Sequence, residues 1–226
     1  MKGVRQKSLG FYDVLDTFQN AKGCALCELE ARSVRRYLGG LLYESVNDVG
    51  VRGELVRARG YCHRHAHILV KFKEGLATAI LYQDQVKLFI GFLKHEGGLP
   101  AKLRSRREPE WHHAGRCPVC VIQAQSRQGY VRTLLDWLND ADLRKAFEES
   151  PGLCVPHLML ALRQAPDAPT RKYLVTVHIG RFSVLANDLA EYIRKQDYRF
   201  IGQGFGKEKG PWLRSVNMMT GLKEVF

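Results

Sequence analysis

Apolar residues recur at helical spacing along most of the chain. Phe11, Val14, Leu15 and Phe18 follow the i, i+3, i+4, i+7 rule and predict an entry helix. Residues 28–45 predict a second helix, with Leu29, Val34, Leu38, Leu41 and Leu42 facing inward. Asn47 or Asp48 suits the N-cap of a third, with Val51 and Leu55 inside and Gly60 at its C-terminal cap. Residues 62–73 and 75–95 continue as helix, broken at Gly75, the second stretch burying Leu76, Ile80, Leu81, Leu88, Phe89 and Phe92. Beyond Cys154 a short helix ends before Pro166. Pro169 then opens a long helix over 170–196, with Leu174, Val177, Phe182, Leu185, Leu189 and Ile193 spaced for burial. A last short helix over 210–221 places Trp212, Val216 and Met219 on one face, expected to dock as core. No run alternates as a strand would. The expected class is all-α, in two repeated helical units packed through the helices 75–95 and 170–196.

Composition narrows this little. With 45% apolar and 26% charged residues among 226, the chain is neither disordered nor collagen-like. No apolar run reaches the ~18 residues that span a bilayer, so no membrane role is expected. The first residues lack a secretory pattern, and a cytoplasmic location is the expectation. Charge changes the picture more. Thirty-five Lys and Arg against 23 Asp and Glu give +12, a field that attracts nucleic acid or an acidic partner. Four cations, Lys102, Arg104, Arg106 and Arg107, fall close together in the polar stretch 97–116, with Trp111 nearby to stack on a base. Arg32, Arg35 and Arg36 form a second basic cluster. Each is equally readable as a solvated surface, and no recognised nucleic-acid motif accompanies them.

The six cysteines carry the chemistry. Cys24 and Cys27 form CALC, Cys117 and Cys120 form CPVC, Cys62 opens CHRH ending at His65, and Cys154 opens CVPH ending at His157. Every cysteine is used, and the chain supplies two sets of three thiols and one imidazole, the donor set of a closed tetrahedral zinc site. The CxxC pairs are expected in knuckle turns. The CxxH pairs are expected at helix starts, where positions i and i+3 share a face. Each CxxC is expected to join the next CxxH along the chain: Cys24 and Cys27 with Cys62 and His65, Cys117 and Cys120 with Cys154 and His157. A helical hairpin would bring each pair together. His63, His67, His112, His113, His95 and His178 are read as surface or supporting groups.

The two sets look like copies. Ser126 and Tyr130 lie 93 positions beyond Ser33 and Tyr37, while Asn139, Asp140, Arg144 and Gly152 lie 92 beyond Asn47, Asp48, Arg52 and Gly60. The expected division is a first zinc unit over 1–96, a basic linker over 97–116, a second zinc unit over 117–197, and a glycine-rich segment with a docking helix over 198–226. Other thiol chemistry fits less well. No strand–helix context supports a thioredoxin-like pair, disulfides are disfavoured in a reducing compartment, and Glu28 and Val121 stand where a c-type haem motif needs histidine. An iron–sulfur cluster is the alternative cofactor to two Zn2+.

The stretch GCALCELEARSVRRYLGGLLYESVNDVGVRGELVRARGYCHRH, with the later CPVC and the closing W-L-R-x-V at Trp212, resembles an uncharacterised bacterial and archaeal family catalogued as a domain of unknown function. The resemblance covers most of the chain. It implies no activity and reinforces the cysteines and histidines already singled out.

Three functions follow as expectations. The first is a non-enzymatic, zinc-stabilised helical scaffold binding nucleic acid or a ribonucleoprotein, since a Cys3His site has no open position to activate water. The second is a thiol/zinc redox sensor. The third is a subunit of a protein assembly. No P-loop, dinucleotide fingerprint, HExxH or nucleophile elbow points to a conventional enzyme. Adjacent Glu148 and Glu149 do not share a helix face and read as solvent-facing.

Overall fold

The computed structural model describes residues 6–97, 117–204, 206 and 210–226. Among these residues there is no strand, and no helix is long and apolar enough to cross a membrane. The helices are α1 (Leu9–Asn20), α2 (Ala25–Gly40), α3 (Val49–Arg57), α4 (His63–Val70), α5 (Gly75–Gly97), α6 (Pro118–Trp137), α7 (Ala141–Glu149), α8 (Val155–Gln164), α9 (Ala168–Arg194) and α10 (Pro211–Thr220). A wide π-type turn, Leu41–Ser45, extends α2, and a short 3-10 turn, Ile201–Gln203, follows α9. The linker cations Lys102, Arg104, Arg106 and Arg107, with Trp111, His112 and His113, lie outside the described residues.

Local chemistry sets the helix ends. Asp48 caps α3 by accepting from the Val51 amide at 2.8 Å, and Asp140 caps α7 by accepting from Asp142 and Leu143. After α3 the Gly60 amide reaches back to the Leu55 carbonyl at 3.0 Å, with Gly60 at φ +92°. That bond closes a Schellman-type cap whose left-handed residue is Arg59, φ +61°, with Gly60 the residue after it. Gly152 holds the same conformation as Gly60, φ +89°, ahead of α8.

The chain divides into two compact units. One comprises residues 1–31 and 127–226; the other comprises 32–126. The divisions fall inside α2, after Ala31, and inside α6, after Ser126. In the first unit α1 packs on α7, and α10 packs on α8 and α9. Its core gathers Phe11, Val14 and Phe18 of α1, Leu26 and Leu29 of α2, Phe147 of α7 and Leu174 of α9. In the second unit α5 packs on α3 and α4, around Val34, Leu38, Leu41, Leu55, Leu69 and Leu81.

Several expected core positions are not core. Leu76 and Phe89 of α5 and Ile193 of α9 are exposed. Each of these helices is longer than the neighbours it packs on, so burial reaches only part of its apolar face. On α10 the expected face is turned outward: Trp212, Val216 and Met219 are 55%, 53% and 54% exposed. The docked edge carries Pro211 and Met218 instead, seven residues apart and so on one side of the helix.

Candidate metal centres

All four half-sites sit at helix starts. Cys62 and Cys154 are the N-cap residues of α4 and α8, each with its histidine three positions on. Pro156 occupies the first turn of α8, where its missing amide hydrogen costs nothing. Cys24 and Cys117 immediately precede α2 and α6, so Cys27 and Cys120 lie in the first turns. The CxxC pairs are therefore helix-start pairs rather than separate knuckles. This placement aims the positive ends of helix dipoles and unpaired amides at the sulfurs, which favours thiolate. Around Cys117 burial pushes the thiol up, and the backbone amides of Cys62, Cys120 and Val119 offset that only in part.

The half-sites combine crosswise. Cys24, Cys27, Cys154 and His157 form one cluster, and Cys62, His65, Cys117 and Cys120 form the other. The pairing expected along the chain, CALC with CHRH and CPVC with CVPH, is not the one formed. Helix lengths explain why. The 16 residues of α2 advance ~24 Å, whereas the 9 residues of α3 return only ~14 Å. The 20 residues of α6 advance ~30 Å against ~14 Å for the 9 residues of α7. Neither hairpin brings its CxxH back to its own CxxC. Each cluster nevertheless lies wholly within one compact unit.

Within each cluster the ligand atoms lie within 4.8 Å of one another. His157 Nδ1 stands 3.4 Å from the sulfurs of Cys24 and Cys27 and 3.2 Å from that of Cys154; Cys27 and Cys154 are 3.6 Å apart. His65 Nδ1 stands 3.2 Å, 3.5 Å and 3.3 Å from Cys62, Cys117 and Cys120, with 3.6 Å between the sulfurs of Cys62 and Cys120. A tetrahedral ion with ~2.3 Å bonds to sulfur and ~2.0 Å to nitrogen sets edges of about 3.8 Å and 3.5 Å. Both clusters match that size, and none of the six cysteines is in a disulfide. Two Cys/His clusters in this fold are thus dimensioned to hold a metal ion.

The family can be stated at this point. The chain belongs to the Family of unknown function (DUF6062), whose model matches residues 6–225. It is also 27% identical over 205 residues to an "Uncharacterized 23.9 kDa protein in xynA 3'region" of Caldicellulosiruptor sp. (strain Rt8B.4), covering 88% of this chain and 96% of that protein. No solved structure matches it.

The groups behind the ligands differ between the centres. Nε2 of His157 donates to Glu30 Oε1 at 2.5 Å, and Arg127 grips the same carboxylate with two bonds of 2.9 Å. Glu30 is fully buried. Burial works against its charge, but the bonds from His157 and Arg127 win and hold its carboxyl below the usual range. Phe226 closes this side, its ring centroid 5.1 Å from that of His157 and 4.3 Å from the Arg127 guanidinium carbon. In the second centre Nε2 of His65 meets the amide oxygen of buried Gln123 at 3.1 Å, and Arg64 donates to that oxygen at 2.7 Å. Bonds to Cys154, Cys24 and Glu30 outweigh burial and push the His157 imidazole up to about 11. His65 is pushed down to about 4 by burial and by Arg64.

Three supporting residues escape the spacing argument. Glu30 and Gln123 each follow the second cysteine of their CxxC by three, so the signal is CxxCxxE and CxxCxxQ on a helix. His178, expected as a surface group, is buried on α9 one turn after Leu174. Its Nε2 accepts from the Leu153 amide at 2.9 Å and its Nδ1–H donates to the Leu174 carbonyl at 2.7 Å. It fixes the backbone just ahead of Cys154. His63 and His67 are exposed, their ring centroids 4.4 Å apart. Glu148 and Glu149 are exposed as expected.

Proposed function

We propose that the chain is a zinc-stabilised helical scaffold with two structural Cys3His centres and a basic binding surface. One observation supports zinc above all: four protein ligands converge on one point in each unit at the spacing of a single tetrahedral ion. The four protein ligands of an iron–sulfur cluster are divided among two or four irons, so they do not all converge on one point as these do. With Nδ1 used for metal and Nε2 engaged by Glu30 or Gln123, each imidazole is fixed in one tautomer. Neither centre keeps a protein-free position for substrate, which favours a structural role over catalysis. Metal would tie CxxC to CxxH across long stretches of sequence, and its binding energy would be folding energy.

The partner proposed for the surface is nucleic acid, on the strength of the +12 charge. Lys102, Arg104, Arg106, Arg107 and Trp111 are the proposed contacts, with Arg35 and Arg36 exposed on α2. Metal analysis of untagged protein purified anaerobically should find two zinc ions per chain. RNA should co-purify with the chain and dissociate steeply with salt, and charge reversal at the four linker cations should flatten that dependence. Iron in place of zinc contradicts the metal assignment. Salt-independent capture of a protein alone contradicts the nucleic-acid assignment.

A further inference from the structure

The two centres share a donor set but differ in three respects. Cys24, Cys27, Cys154 and His157 are all buried, whereas Cys62 and Cys120 are partly exposed. The first centre has a buried carboxylate on its histidine, locked by a two-bond arginine; the second has a neutral amide. The first is further covered by Phe226, packed against both His157 and Arg127.

We propose that the centre of Cys62, His65, Cys117 and Cys120 is the exchangeable, thiol-reactive one, and that the residue three positions after each CxxC, Glu30 or Gln123, sets the difference. The inference rests on both clusters holding metal. A carboxylate accepting from a ligand imidazole raises its basicity and holds its ring in the metal-binding orientation. An amide does this more weakly, because it carries no net charge. Loss of such a partner generally costs ~10–100-fold in metal affinity. Access acts in the same direction. A chelator or electrophile must reach a sulfur, and only Cys62 and Cys120 among the eight ligands meet solvent appreciably. Glu30 and Gln123 are thus positioning residues, acting through His157 and His65. One centre would keep its unit folded at all times, and the other would load and unload metal as zinc supply or thiol modification changes.

The test is zinc transfer from the full-length, two-zinc protein to an excess of a chromogenic chelator. N-ethylmaleimide mapping by mass spectrometry identifies which thiols open. One equivalent should leave at least tenfold faster than the other, with Cys62 and Cys120 labelled first. Gln123→Glu should slow the fast phase about tenfold, and Glu30→Gln should speed the slow phase by a similar factor. Release at a single rate, first labelling at Cys24, Cys27 or Cys154, or an unchanged fast phase in folded Gln123→Glu would overturn the proposal. Should Glu30→Gln fail to fold, Gln123→Glu still decides. Protein isolated with one zinc, protecting Cys24, Cys27 and Cys154 only, supports the proposal; one zinc at the other set overturns it. Protein that binds no metal under any loading condition refutes the metal assignment itself, before the comparison of centres arises.

Discussion

Glu30 accepts the Nε2 hydrogen of His157 at 2.5 Å although the two lie 127 residues apart. The bond crosses from α2 to α8, the same two helices whose starts supply the four ligands. Arg127 of α6 completes the arrangement with its paired bonds to the carboxylate. A carboxylate with no exposed surface is tolerable only because both oxygens are fully engaged.

Glu30→Ala should therefore destabilise the chain by about 3–5 kcal/mol, the usual cost of removing one partner from a buried ion pair. Glu30→Gln, which keeps the shape and an acceptor oxygen, should cost less. Urea unfolding of the metal-loaded variants checks this order. Equal stability of Glu30→Ala and wild type would show that the carboxylate contributes nothing.

The positive-φ glycines Gly60 and Gly152 should respond differently to alanine. A Cβ at Gly152 would lie 2.5 Å from Arg181 Nη1 and 2.9 Å from its Cδ, whereas at Gly60 the nearest atom is 3.7 Å away. Both substitutions carry left-handed strain of about 1–2 kcal/mol. Only Gly152→Ala must also displace a guanidinium that donates to the Phe147 carbonyl. Thermal melts should place Gly152→Ala clearly below Gly60→Ala.

Asp140 should make folding acid-sensitive. Its carboxyl is held below the usual range, first by the hydrogen bond from Lys7 at 2.8 Å and then by the amides it caps. A depressed carboxyl contributes stability that is fully present above the ordinary value of 3.8 and is lost as pH falls through the folded value. Asp140→Asn should retain the cap but lose this part of the acid dependence. Asp140→Ala should cost about 0.5–2 kcal/mol at neutral pH, the usual worth of an N-cap. Urea midpoints measured from pH 7 down to pH 3 separate the two.

Much of the fold is legible because local rules act alone there. Asp48, Asp140 and Gly60 mark helix ends through bonds to residues within six positions, and Phe11, Val14 and Phe18 are buried as their spacing demands. The ligands are legible for the same reason, since each CxxC and CxxH is a turn of helix. Their pairing is not. Both arrangements satisfy the same ligand count, and what decides is a length mismatch between successive helices, visible only once α2 and α3 have definite ends. Trp212 fails differently. Helical spacing shows that Trp212, Val216 and Met219 share a face, but not which face of α10 meets α8 and α9. Glu30 is marked by an i+3 spacing that charge alone disguises as a solvent-facing position.

Crossed pairing of the half-sites is tested most directly by the zinc content of the double variant Cys27→Ser/Cys154→Ser. In the crossed arrangement both residues serve one ion, so the double variant should retain one zinc per chain, as each single variant does. In the pairing along the chain each substitution strikes a different ion. Loss of both metals in the double variant, with one lost in each single variant, would contradict the crossed arrangement.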